Sequence, residues 1–65
     1  MEHVKCRFYV KEPEHGSRFV TVEPAEHGHR LPIALCFRLR EDADYDTAQA
    51  MVSLMNVSIL DIGFG

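Results

Sequence analysis

The chain has 65 residues, 46% of them hydrophobic, and a formal charge of −3 from seven Lys/Arg and ten Asp/Glu. That length predicts a single domain over residues 1–65, and the apolar content excludes a disordered chain. No apolar run nears ~20 residues, and the start MEHVK lacks the charged-then-apolar layout of a signal peptide, so a cytoplasmic protein with no membrane contact is expected.

The charge is uneven. Residues 1–40 hold all seven Lys/Arg and five acids, whereas residues 41–65 hold five acids and no Lys/Arg. A net-acidic chain is not a generic polyanion binder, which is normally basic overall. The four histidines would bring the charge to about +1 if all were protonated, which bears on solubility.

Residues 4–11, VKCRFYVK, alternate strictly. Val4, Cys6, Phe8 and Val10 share one side and Lys5, Arg7, Tyr9 and Lys11 the other, the pattern of a half-buried strand. Residues 18–23, RFVTVE, form a second, β-branched strand whose facing the pattern leaves open. Residues 31–40, LPIALCFRLR, alternate again. Leu31, Ile33, Leu35, Phe37 and Leu39 are expected inward and Ala34, Cys36, Arg38 and Arg40 outward. Pro32 cannot donate to a ladder, so this strand starts near Ile33 or has a free edge there.

The period then changes. Ala48, Met51, Val52 and Met55 recur at i, i+3, i+4, i+7, which predicts a helix. Asp46 with Gln49 resembles a capping box, and Asp44 is the alternative cap. Asn56 is the expected stop, because asparagine tolerates the left-handed conformation that ends many helices. VSILDI at 57–62 reads as a last strand.

The order β-β-β-α-β predicts a two-layer α+β domain: an antiparallel three-stranded meander, one helix across it and a C-terminal fourth strand. The helix is expected to return that strand parallel to the third, beside either strand one or strand three. The predicted core is Phe8, Val10, Ile33, Leu35, Phe37, Met51, Val52, Met55, Leu60 and Ile62. So small a core makes either a monomer or a homodimer plausible, and a structural homo-oligomer is one functional alternative.

Few residues offer reactive chemistry. EPEHGSR and EPAEHGHR repeat one phrase, and His27 with His29 has the H-x-H spacing of a zinc pair. The same letters serve as turns, Pro setting φ and Gly supplying positive φ. The two copies also fall at opposite ends of strand two, about 20 Å apart, too far to share an ion. No metal and no cofactor is therefore expected; the alternative, a metal-binding module, would use His27 and His29, with Glu26 or a symmetry mate completing the set. Cys6 reads as core and Cys36 as surface, on opposite faces, which forbids a disulfide. Two arginines near Cys36 favour its thiolate, but no histidine lies close in sequence to act as a base. No serine sits in a glycine-flanked elbow and no phosphate loop is present, so no enzymatic activity is expected.

Surfaces remain. Lys5, Arg7, Tyr9, Lys11, Arg38 and Arg40 would give a basic sheet face able to bind nucleic acid. Glu41, Asp42, Asp44 and Asp46, with Tyr45 among them, would form an acidic corner at the helix start. That corner is the favoured site: a decoy for the basic, nucleic-acid-binding surface of a protein partner, with Tyr45 as anchor. The element order resembles that of small antitoxins and phage-encoded inhibitors. This resemblance of architecture alone implies a binding module acting as an inhibitor or regulator.

Overall fold

The alternation in VKCRFYVK yields the central strand of the molecule. In the structure, a computed structural model that describes residues 2–65, β1 runs Glu2–Lys11. It buries Val4, Cys6 and Phe8, half-buries Val10, and leaves Lys5, Arg7, Tyr9 and Lys11 exposed. Strand β2 (Phe19–Pro24) pairs antiparallel with β1 from Lys11↔Phe19 to Cys6↔Pro24, and β3 (Cys36–Arg38) pairs antiparallel with β2. Helix α1 spans Tyr45–Ser58, and β4 (Asp61–Phe64) pairs antiparallel with the first half of β1. The sheet order is β3-β2-β1-β4, an α+β fold in the expected β-β-β-α-β sequence.

Strand β4 departs from expectation in direction. It runs antiparallel to β1, hence antiparallel to β3, instead of parallel to it. The reason is where α1 begins and ends. Its start is tied to the Lys11 end of the sheet, where Arg18 Nη1 donates to the Ala43 carbonyl (3.0 Å) and Leu39 N–H to the Arg18 carbonyl (3.2 Å). Its last turn reaches Phe8, and only Ile59 and Leu60 separate it from Asp61, opposite Lys5. Two residues span at most about 7 Å, so β4 must begin close to where the helix ends, beside Lys5. The helix therefore runs down the sheet and β4 continues the same way.

The helix ends also differ in detail. The cap is Asp44, whose carboxylate accepts from Thr47 N–H at 2.8 Å, while Gln49 donates to the Tyr45 hydroxyl at 2.6 Å and takes no part in a box. Asn56 does not stop the helix. Among the described residues no non-glycine has positive φ; α1 runs on to Ser58, and the Ile59 cap donates its N–H to the Met55 carbonyl at 2.8 Å. Strand four correspondingly starts at Asp61, not Val57. The third strand, expected within 31–40 with its start near Ile33 or a free edge there, is only three residues long. Pro32 has no N–H to give, and pairing extends past Cys36–Arg38 only through the Leu35 carbonyl and the Leu39 N–H.

The core is Val4, Cys6, Phe8, Val20 and Val22 from the sheet with Ala48 and Val52 from the helix. Leu31, Leu35, Leu39, Met55, Ile62 and Phe64 pack partly buried around it. Of the expected core, Ile33, Phe37, Met51 and Leu60 are exposed. Helix α1 packs chiefly over β1, not over β3. Phe37 faces the helix side, opposite buried Val20, yet remains 47% exposed there.

Asn56 ties the layers together. Its side-chain oxygen accepts from Phe8 N–H at 2.9 Å and its amide donates to the Phe8 carbonyl at 3.0 Å. In antiparallel β1, alternate residues turn their backbone polar groups to alternate sides. Lys5 serves β2, since its carbonyl accepts from Ala25 N–H, so the groups of Phe8 point to the β4 side, beyond the end of β4. The carboxamide takes the place of one more strand residue. Asn56→Ala should cost about 1–3 kcal/mol, because it leaves a part-buried peptide unpaired. Urea denaturation checks this; a loss under ~0.5 kcal/mol would show that water replaces the amide freely.

Candidate functional site

One helix covers one face of the sheet, so the other face presents whatever the strands place there. Pairing register fixes its layout. Lys11, Phe19 and Arg38 lie side by side on β1, β2 and β3, and Tyr9, Thr21 and Cys36 form the next row. Below them Arg7 stands opposite Glu23, and Lys5 opposite Asp61. His3 Nδ1 lies 3.3 Å from Asp61 Oδ1. Strand spacing sets Lys11 and Arg38 about 10 Å apart with the Phe19 ring between them.

The face therefore divides. Its lower half mixes Lys5 and Arg7 with Glu23 and Asp61. Its upper half carries Lys11 and Arg38, no acid, and two aromatic rings, 41%-exposed Tyr9 and half-buried Phe19. The Lys11 ammonium sits 6.0 Å from the Tyr9 ring centre, at the outer range of a cation–π contact. Of the expected basic set, Lys5, Arg7, Tyr9, Lys11 and Arg38 share this face. Arg40 does not: it lies beyond β3, where its carbonyl accepts from Ala43 N–H at 3.0 Å.

Phe19 and Thr21 are the members that sequence reasoning missed. In RFVTVE both Phe19 and Val20 are apolar, so alternation alone does not tell inside from outside. The pairing Val10↔Val20 settles it by placing Val20 under the helix.

Arg40 instead lines an open cleft of about 460 Å³ at the end of the sheet, with Glu12, Ser17, Arg18, Glu41 and Ala43. Arg18 is ion-paired with Glu12 there and hydrogen-bonded to Ala43, so the cleft's cations and acids largely offset one another. At the adjoining corner Glu41, Asp42, Asp44, Tyr45 and Asp46 are all exposed, Tyr45 by 45%. Asp44 is committed to the helix. The Thr47 amide, then its hydroxyl, hold its carboxyl below the usual range, with a small contribution from Arg18. Its stabilisation of the helix is thus present above the ordinary carboxylate pKa and lost as pH falls through the lowered one.

The repeated phrases occupy the two ends of β2, with Gly16 (φ 97°) and Gly28 (φ 86°) making the positive-φ bends that side chains resist. His27 and His29 are exposed in the second loop, and His29 Nε2 lies 3.4 Å from Glu26 Oε2. Among the described residues no three His, Cys, Asp or Glu side chains gather into a metal-binding group. Both cysteines are free. Cys6 is buried with its thiol donating to the Val4 carbonyl (3.1 Å), and Cys36 is exposed on the open face.

No protein-family model, curated protein or solved structure matches the chain. Within the molecule itself, burial pushes the Cys6 thiol up. Iodoacetamide at neutral pH should therefore label Cys36 quickly and Cys6 only after denaturant is added. Intact mass with peptide mapping distinguishes them, and equal labelling of both in the folded protein would contradict the packing of Cys6.

Proposed function

We propose that this chain is a non-enzymatic binding module whose open sheet face takes a single-stranded nucleic acid. One observation carries the reading: the Lys11–Phe19–Arg38 row beside Tyr9, two cations and two rings in register with no acid among them. Rings on a sheet stack against unpaired bases, and flanking cations hold the backbone phosphates. Exposed rings can stack only on bases that are free of a duplex, so the single strand is the preferred form. The net charge of −3 keeps non-specific affinity low, while the paired rows Lys11–Phe19–Arg38 and Tyr9–Thr21–Cys36 themselves carry no acid.

Fluorescence anisotropy with a labelled oligothymidine of about 12 nucleotides tests the proposal. Binding should appear at low salt and weaken as salt rises, with a log–log slope of about −0.7 per phosphate contact. Lys11→Glu with Arg38→Glu should reduce affinity at least ~10-fold while leaving the circular dichroism spectrum unchanged. A flat titration at low salt with the unaltered protein removes the reading.

The acidic corner supports a second one, capture of a basic protein surface by Glu41, Asp42 and Asp46 around Tyr45. Exposure of Tyr45 next to three uncommitted carboxylates favours it. Asp42→Asn with Asp46→Asn, sparing the Asp44 cap, should then abolish retention of partner proteins on the immobilised chain without lowering its melting temperature. Unchanged retention would remove the corner from consideration.

A further inference from the structure

Helix α1 is amphipathic in only one sense. Ala48 and Val52 are buried against the sheet, but the opposite side is not charged. Ala50, Ser53, Leu54 and Val57 recur there at i, i+3, i+4 and i+7, and Leu54 and Val57 are 66% and 84% exposed. No Asp, Glu, Lys or Arg occurs anywhere from residue 47 to residue 60, although most of that stretch faces outward. A solvated helix face normally carries charges. Met51 and Leu60, 40% and 74% exposed, extend the apolar surface beside this row.

The area of the molecule states how much is uncovered. A folded monomer of this mass exposes about 4,200 Å² by the usual scaling. This chain exposes 5126 Å², an excess of about 900 Å² over that scaling. Its radius of gyration is 12.5 Å, against about 10.7 Å for a typical domain of this length. A stable protein–protein interface removes about 800 Å² from each partner, so one such contact brings the surface to the ordinary value.

We propose that two copies of this chain pair through the outer faces of α1, antiparallel about a two-fold axis between Ser53 and Leu54. A two-fold interface needs a self-complementary patch, and an uncharged row of small and branched residues supplies one. Charge selects the antiparallel sense. Asp42, Asp44 and Asp46 all lie at the N-terminal end of the helix, so parallel packing would set two acidic clusters together. Antiparallel packing brings each cluster instead to the charge-free C-terminal end of the partner helix. The open sheet faces then point away from the interface on both copies.

Sedimentation equilibrium between about 5 and 500 µM tests the pairing, with melting temperature followed over the same range. The unaltered protein should approach twice its chain mass and melt higher as concentration rises. Leu54→Glu and, separately, Val57→Lys should each sediment at the chain mass with a melting temperature independent of concentration. Both positions are exposed in one copy, so neither change disturbs the core. Should a variant fail to fold, the mass and concentration dependence of the unaltered protein still decide. Monomer mass throughout, or a dimer that survives both substitutions, overturns the proposal.

Orientation is read from cross-linking in a Cys36→Ser background. Leu54→Cys should give a covalent dimer on oxidation. Val57→Cys alone should not, because antiparallel helices hold its two copies about 10 Å apart along the axis. Equal cross-linking at both positions, or none at residue 54, overturns the antiparallel arrangement.

Discussion

A single carboxamide holds the two layers of this molecule in register. Asn56 bonds both the N–H and the carbonyl of Phe8, so the last turns of α1 are fastened to the edge of β1 at one residue. That contact fixes where the helix ends along the sheet. With two residues left before Asp61, it also places the start of β4 beside Lys5, from where the strand pairs antiparallel with Lys5 to Glu2. The buried set follows. Val52 sits one turn before Asn56 and is buried with Phe8 in the same cluster, so docking the amide seats the core beneath it.

The same placement decides what stays outside. A helix fastened over β1 leaves β3 largely uncovered, which is why Phe37 remains exposed despite its inward-reading position, while Ile33 lies outside the sheet, before β3. It also leaves the far side of the sheet bare. There the register of β1, β2 and β3 assembles Lys11, Phe19, Arg38 and Tyr9 from three separate segments. Two surfaces thus coexist on one small body, an aromatic and cationic sheet face and an uncharged outer helix face. They point in opposite directions, so occupation of one does not obstruct the other.

Legibility varied with the strength of the local signal. Strand β1 was plain because four apolar and four polar residues alternate without exception. The turns at Gly16 and Gly28 were plain because proline and glycine constrain φ by themselves. Strand β2 hid its facing because Phe19 and Val20 are both apolar. The third strand was over-read, since LPIALCFRLR alternates for longer than the sheet can pair it, and alternation says nothing about whether a neighbouring strand is present. Asn56 is special for a reason that its local preference does not carry. Its local preference suggested a stop, whereas its amide answered a distant peptide 48 residues earlier in the chain.

What the sequence by itself determined is therefore local: the element types and their order, the cap region, the bends and the inward parity of β1. These depend on periodicity and backbone preference, which act within a few residues. The tertiary structure alone decided the direction of β4, the cover over β3, the side of β2 that carries Phe19 and the exposure of the outer helix row. Each depends on pairing or packing between segments far apart in sequence. The energies involved belong to backbone hydrogen bonds and buried area, which no single segment carries in its own letters.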